Sequence, residues 1–526
     1  MTNMKETPKK NGKTGSGARA RTPISPGRYK AYAVTAAFAL PAALAAYDGG
    51  GPERLIGLFL LTTLLLGVLY RDILRYGPQY HVKKRMLVLL GLLLSGTMVL
   101  ARLSEFALES FARGLDMGQL HASIYGLPVP AGAMLVMLLF DFHTAIVASF
   151  ALSLMMGLWQ GDPAFTVYAF VGCLTAAFCM IRCKRRTAIL RGGAFVLAAN
   201  LVALALVLLY KGQILTQTAL AAAGFAAFGA VFTVAVVSIL LPILESLFKV
   251  TTDISLLELL DLDHPLMKNL MIEAPGTYHH SIIVGNLVEA CSDVVDVNPL
   301  LARVGAYYHD IGKARMPEYF IENQRGGASK HDRLTPHMSS MVLISHVKEG
   351  IEMARQHKLP EEVVDIIEQH HGNALITYFF EKAREEGGDG PSEEAYRYPG
   401  PKPQGRTAAL IMMADAVEAA SRVLHEPTPS RIQALVERVI NHIFLAGQLD
   451  ECELTLKDIT EIKARFAYIL TGILHKRIDY PGFDFNKDDK SDKRGGKQQA
   501  AEGQDQHAQD QDGRPGSPRD AQPLRG

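Results

Sequence analysis

Ala306-Tyr307-Tyr308-His309-Asp310-Ile311-Gly312-Lys313 is the stretch around which the rest of the chain is organised. An adjacent imidazole and carboxylate close the apolar run 300–307, just before Gly312, which reads as a helix stop. The end of a buried helix can thus present two groups to a metal ion. One His-Asp pair alone is weak evidence, but it has company. His280 lies upstream, and His346, His370, His371 and Asp415 follow, each on a segment that also reads as a helix.

Outward from this stretch the composition divides the 526 residues unevenly, and the length suggests roughly three domain-sized units. Residues 1–30 are basic, rich in Gly, Ser and Pro, and too poor in apolar residues to fold, so they read as a disordered cytoplasmic tail. Residues 31–248 are dominated by Leu, Ala, Val, Phe and Met in runs long enough to cross a hydrocarbon layer. Residues 249–276 read as a linker helix, with Leu256, Leu257 and Leu260 at the exit of the last span, where a motion in the membrane would be passed on. From 277 to 485 charges return, apolar residues fall at helical spacing and no strand alternation is found, so this part reads as an all-α domain. Residues 486–526 are polar and read as a second disordered tail.

The apolar half divides into about eight spans, at 31–47, 55–69, 86–103, 128–140, 143–159, 165–181, 188–210 and 220–248. The pair meeting at Asp141 could be one helix or two, and loop charge decides. With an inside N-terminus, two spans put Lys184, Arg185 and Arg186 on the same side as Arg71, Arg75, Lys83, Lys84 and Arg85, as the positive-inside rule requires. Merging them would send the second basic loop outside. A cleaved signal peptide is the rival reading of the first segment and leaves seven spans in the same orientation. Asp141 and His143 fit a tight turn between spans. The net charge of +1 averages unlike regions, and the five cysteines form no CxxC pair, so neither a disulfide framework nor a zinc knuckle is supported.

Ten of the 17 histidines lie between His264 and His371. Together His280, His309, Asp310, His346, His370, His371 and Asp415 offer more groups than one metal uses, which implies two. Mixed imidazole and carboxylate suits manganese, iron, cobalt or zinc better than calcium. Two cations about 3.5 to 4 Å apart need an anion between them, and Asp310 can offer one oxygen to each. Such a pair lowers the pKa of a bound water and offsets charge at phosphorus, so phosphodiester hydrolysis is the natural chemistry.

The spacing of His280, His309-Asp310 and Asp415 resembles that of the HD superfamily of metal-dependent phosphohydrolases. More closely, Ala274-Pro275-Gly276-Thr277-Tyr278-His279-His280-Ser281, Tyr308 to Lys313, Tyr319 to Gln324, His370-His371-Gly372 and Tyr398 to Gln404 are similar to the seven-transmembrane HD family of cyclic di-AMP phosphodiesterases. The resemblance covers roughly residues 55–479. It implies one metal on His280, His309, Asp310 and Asp415, and a second on His346, His370 and His371, with Asp310 bridging. It further implies two manganese or iron ions, hydrolysis of cyclic di-AMP to the linear dinucleotide, and a bacterial cell-membrane protein whose catalytic domain faces the cytoplasm. Typical members carry a large extracellular domain after the first membrane helix, whereas here residues 48–54 are all that join it to the next. The Gly-Tyr-Pro signature of cyclic di-GMP relatives is absent after His371.

Lys313 lies near enough to the helix end to meet a substrate phosphate or assist catalysis, and Arg333 and His337 flank the start of the His346 helix as further substrate contacts. His279 points about 100 degrees away from His280 and reads as packing rather than ligand. The partners expected are a cyclic dinucleotide, membrane lipid and a membrane protein that signals through the bilayer, with no nucleic acid polymer. Two other function classes remain: a di-iron oxygenase on the same scaffold, and a receptor that binds nucleotide without cleaving it.

Overall fold

The computed structural model describes residues 26–76, 84–114, 120–181, 183, 185–324, 328–386 and 390–474. Residues 1–25, residues 77–83 within the segment between Arg75 and Lys84, and residues 475–526, which include the C-terminal tail, lie outside the described residues. The described residues hold no β-strand, only one isolated bridge between Leu375 and Arg397. The all-α expectation is met.

The first eight helices are α1 Pro26–Ala45, α2 Pro52–Tyr76, α3 Lys84–Gly114, α4 Val129–Leu139, α5 Phe142–Gln160, α6 Pro163–Met180, α7 Thr187–Tyr210 and α8 Gln217–Phe248. Among the described residues, seven helical stretches are long and apolar enough to span a bilayer: Pro52–Ile73, Arg85–Gly114, Ala122–Leu139, Phe142–Gln160, Pro163–Met180, Thr187–Tyr210 and Gln217–Phe248. This is a membrane protein. α1, apolar over Ala33–Ala45, packs on α2 and α3, where Gly91 leaves room for the Phe38 ring.

The junction at Asp141 is a break. α4 stops at Leu139, and the Asp141 carboxylate caps α5 by accepting from the Thr144 amide at 2.9 Å, which supplies one of the bonds a helix start lacks. His143 meets Asp72 at 2.8 Å. The third span is itself interrupted: a 3-10 helix, Leu120–Gly126, precedes Leu127-Pro128 and α4, and the Tyr168 hydroxyl donates to the Tyr125 carbonyl at 2.8 Å. Irregular backbone at membrane depth requires such partners.

The remaining helices are α9 Asp253–Leu259, α10 Pro265–Glu273, α11 Pro275–Cys291, α12 Pro299–Tyr308, α13 Pro336–Gln356, α14 Glu361–Gln369, α15 Thr377–Glu385, α16 Arg406–Ser421, α17 Pro429–Leu445 and α18 Leu456–Ile473. The stretch expected as one linker helix is two, α9 and α10. Ile254 packs in the membrane core, whereas Leu256, two residues on, packs with Leu266, Val304, Tyr308 and Ile367 in the core of the C-terminal half. Leu256 is therefore a core residue.

Polar pairs tie the end of α8 to the helices that carry the candidate ligands. Lys249 meets Glu361 at 2.8 Å and Thr251 donates to Glu362 at 2.5 Å, both in the first turn of α14, while the Asn298 cap of α12 donates to Asp253 at 3.0 Å. α12 and α14 thus begin at the membrane junction and end at His309-Asp310 and His370-His371. Replacing Glu361 and Glu362 together by Gln is expected to shift any activity seated on these helices, measured in membranes, by the equivalent of about 0.5–2 kcal/mol of coupling. The same change in a fragment lacking the spans should leave that activity nearly unaltered; equal shifts in both settings would refute coupling through these pairs.

Candidate metal centre

α12 is set by its own ends. The Asn298 side chain accepts from the Leu300 amide at 2.9 Å and Pro299 fills the first turn, where no amide donor is needed. Val304, Gly305, Ala306, Tyr307 and Tyr308 are buried, which seats the helix in the core and fixes where it ends. His309 follows as the last turn, and Asp310, at φ −108° and ψ 14°, re-aims the chain into a 3-10 helix, Ile311–Arg315.

Gly312 does not stop the helix. It lies inside the 3-10 helix, and a Cβ there would sit 1.9 Å from the His346 carbonyl oxygen and 2.5 Å from the Gly350 amide nitrogen. The glycine lets this turn lie directly on α13. That contact delivers His346 to Asp310.

The candidate ligands converge on the two oxygens of one carboxylate, buried with 1% exposure. Asp310 Oδ2 lies 3.3 Å from His309 Nε2 and 3.7 Å from His280 Nε2. Its Oδ1 lies 3.4 Å from His346 Nε2 and 3.6 Å from His370 Nε2. Two donor groups result, His280 with His309 and Asp310, and Asp310 with His346, His370 and His371. Asp415 stands between them, with Oδ1 3.0 Å from His280 Nε2 and 3.9 Å from His309 Nε2, and Oδ2 3.8 Å from His371 Nδ1.

The tautomers are fixed from behind. His309, His346 and His370 each donate Nδ1–H to the carbonyl three residues earlier, of Ala306, Leu343 and Ile367, at 2.7, 2.5 and 2.7 Å. His280 directs Nδ1 to Glu418 Oε2 at 2.5 Å. Each of the four thus turns its Nε2 to the centre, able to offer a lone pair once that nitrogen carries no proton. His346 and His370 bring these nitrogens within 3.3 Å of each other. Two lone pairs so placed repel unless a cation lies between them. His280 Nε2, His309 Nε2 and Asp310 Oδ1 are buried without a hydrogen bond, an expensive state for polar atoms, while Asp310 Oδ2 has the Lys313 ammonium as its partner. Ligands each about 2.1 Å from a tetrahedral ion sit about 3.4 Å apart, so the donor set fits metal.

Electrostatics favours the ligating forms. Burial, with the neighbouring His370 and Lys313, pushes the His346 imidazole down to about 3 against the pull of Asp310. Burial and His370 likewise hold His371 well below its usual range. Burial would raise the Asp310 carboxyl, but Lys313 and His309 outweigh it and keep the group well below the carboxylate range. His280 goes the other way. Burial lowers it, yet Asp415 and Glu418 raise it to about 10, so a bound cation would take the place of a proton there.

Lys313 is in the centre, its ammonium 2.6 Å from Asp310 Oδ2 and 3.1 Å from Glu322 Oε1, with the Phe320 ring 5.1 Å away. Glu322 also accepts from the Thr277 hydroxyl at 3.0 Å, one helical turn before His280. Arg333 and His337 lie instead at the exposed start of α13, where His337 packs 5.8 Å from the Tyr396 ring. At about 1.5 Å per residue, His337 is roughly 13 Å of helix from His346. His279 sits against Tyr278, outside the cluster. Sequence reasoning missed Glu418, Glu322 and Tyr398, whose ring lies 4.2 Å from His371. Glu418 had a signal, since it follows Asp415 by three residues and shares its helix face. Glu322 and Tyr398 stand inside quoted motifs but carry no role that composition alone could give.

The family model described as "7TM receptor with intracellular HD hydrolase" matches residues 53–252, and the one described as "HD domain" matches residues 277–420. The cyclic-di-AMP phosphodiesterase PgpH of Bacillus subtilis (strain 168) is 40% identical over 365 residues, 68% of this chain and 51% of its own. The PgpH of Listeria monocytogenes serotype 1/2a (strain 10403S) is 40% identical over 327 residues, 61% of this chain and 45% of its own. The solved HD domain of L. monocytogenes PgpH in complex with cyclic-di-AMP is 46% identical and covers 41% of this chain and 100% of its own, with a TM-score of 0.39. The chain spans about half the length of the curated relatives it matches.

Proposed function

The chain belongs to the seven-transmembrane HD family, and on that premise we propose that it is a membrane-anchored phosphodiesterase that opens cyclic di-AMP to the linear dinucleotide. The observation that carries this reading is the convergence of two donor groups on the two oxygens of Asp310. His280, His309, Asp310 and Asp415 would hold one cation, and His346, His370, His371 and Asp310 the other, of manganese or iron type. Two such ions, when bound, supply an ionised water at neutral pH and offset charge on the phosphate.

The chain's own groups do the rest. Asp310 orients both halves of the centre. Lys313, held by Asp310 and Glu322, keeps a buried ammonium for a non-bridging phosphate oxygen. His371 is the open side, with its side chain 23% exposed, and the Tyr398 ring beside it gives a nucleobase a flat surface. Arg333 and His337 lie further out as contacts for the second nucleotide. The positive-inside count supports a cytoplasmic domain, where such a substrate would be met.

The test uses the full chain in detergent with manganese and a panel of cyclic di-AMP, cyclic di-GMP and linear dinucleotides, with products separated by chromatography. Loss of cyclic di-AMP with one linear dinucleotide formed per molecule is expected. Faster cleavage of linear dinucleotides, or oxygen consumption by the iron-loaded protein without hydrolysis, would overturn the reading. A fragment covering residues 249–485 is expected to keep turnover within about tenfold of the full chain, because every ligand lies between His280 and Asp415. A folded, metal-loaded fragment without activity would show that the membrane half completes the site.

A further inference from the structure

Behind His280 stands a carboxylate that none of the motifs marks. Glu418 lies on α16 one turn after Asp415 and is 2% exposed. Its Oε2 takes the His280 Nδ1–H at 2.5 Å, while Oε1 accepts from Arg422 Nε at 2.8 Å and pairs with Nη2 at 2.8 Å. We infer that Glu418 is a positioning residue: it fixes His280 as an Nε2 ligand and strengthens it as a donor, a role that rests on the two-cation reading above.

The need for a side chain follows from where each histidine sits. His309 and His370 end their helices, where the last carbonyls have no partner in the helix and can take Nδ1–H. His346 shares the Leu343 carbonyl with its own helix. His280 lies in the first half of α11, and its Nδ1 takes the Glu418 carboxylate instead of a backbone carbonyl. Without Glu418 the ring could carry its proton on Nε2, which faces Asp415 Oδ1 at 3.0 Å and would welcome it. That tautomer cannot bind metal. A carboxylate behind a ligating imidazole excludes it, and the Arg422 guanidinium holds Glu418 in place. Asp415 and Glu418 therefore hold the ring from both sides, three residues apart on one helix.

The experiment is manganese binding to the full chain in detergent, read by metal stoichiometry at limiting metal and by affinity, for wild type, Glu418→Gln and Glu418→Ala. Wild type is expected to hold two ions per chain. In Glu418→Ala one ion should bind about 10- to 100-fold more weakly while the other keeps its affinity. Glu418→Gln keeps the shape and one acceptor oxygen, for which His280 and Arg422 compete, so it should fall between. Thermal unfolding in chelator reports whether each variant folds, and a fully folded Gln variant suffices for the test. Wild-type affinity at both sites in the variants, or equal weakening of both ions, would overturn the positioning role. Fewer than two ions on the wild-type chain would overturn the two-cation reading itself, and so the failures are distinguishable.

Discussion

Asp310→Ala is expected to empty both cation positions, where His346→Ala should weaken only one. The two oxygens of Asp310 face different histidine pairs, His280 and His309 on one side and His346 and His370 on the other, all at 3.3 to 3.7 Å. Removing the carboxylate takes one anionic ligand from each group and leaves the Nε2 lone pairs to hold metal by themselves. Removing His346 leaves the His280 and His309 group intact. Metal per chain should fall from about two to well under one in the first variant and to about one in the second. Turnover should fall by about 1,000-fold or more in Asp310→Ala, the scale seen when groups that act as a unit lose a member. Asp310→Asn sharpens the test because it keeps the shape and one acceptor oxygen but not the charge that Lys313 meets at 2.6 Å. Equal metal loss in the Asp310 and His346 variants would show that Asp310 serves one ion only.

The sequence carried the chemistry further than the geometry. The candidate ligands could be read because imidazoles and carboxylates among apolar helical residues are costly to bury and have few other uses. The membrane helices could be read because apolar runs of span length have no bland counterpart in a small domain. What escaped was set by contacts between distant segments. Pro128 reads as the start of a span, whereas the 3-10 helix before it, from Ala122, belongs to the same apolar stretch. Glu418 looks like any helical acid until α11 is laid against α16. Leu256 follows a membrane-core residue by two positions and belongs to the other core, which a linear count of apolar residues cannot divide. The glycines show the limit most plainly. Gly372, after His370-His371, has the left-handed φ of 53° that a helix-ending glycine takes, whereas Gly312 was given that role by its place in the motif and has another.

Gly312→Ala is therefore expected to damage the centre without touching a ligand. The added Cβ would lie 1.9 Å from the His346 carbonyl oxygen, 2.5 Å from the Gly350 nitrogen and 2.9 Å from the His346 carbonyl carbon. All three are backbone atoms of α13. They cannot turn aside as a side chain can, so the 3-10 helix and α13 must part by an ångström or more. His346 belongs to the helix that moves and Asp310 to the turn that stays, so their 3.4 Å approach opens. Overpacking of this kind costs about 1–3 kcal/mol, and the melting temperature should fall accordingly. The ion on His346, His370 and His371 should weaken, while the one on His280 and His309 holds. Gly305→Ala is the matched control in the same region. Its Cβ would meet Ile366 Cδ1 at 2.6 Å and Ile411 Cδ1 at 2.8 Å, the ends of side chains that can rotate away. It should lose less stability and keep both ions. If Gly312→Ala proved as stable and as fully loaded as Gly305→Ala, close approach to α13 would not be what this glycine is for.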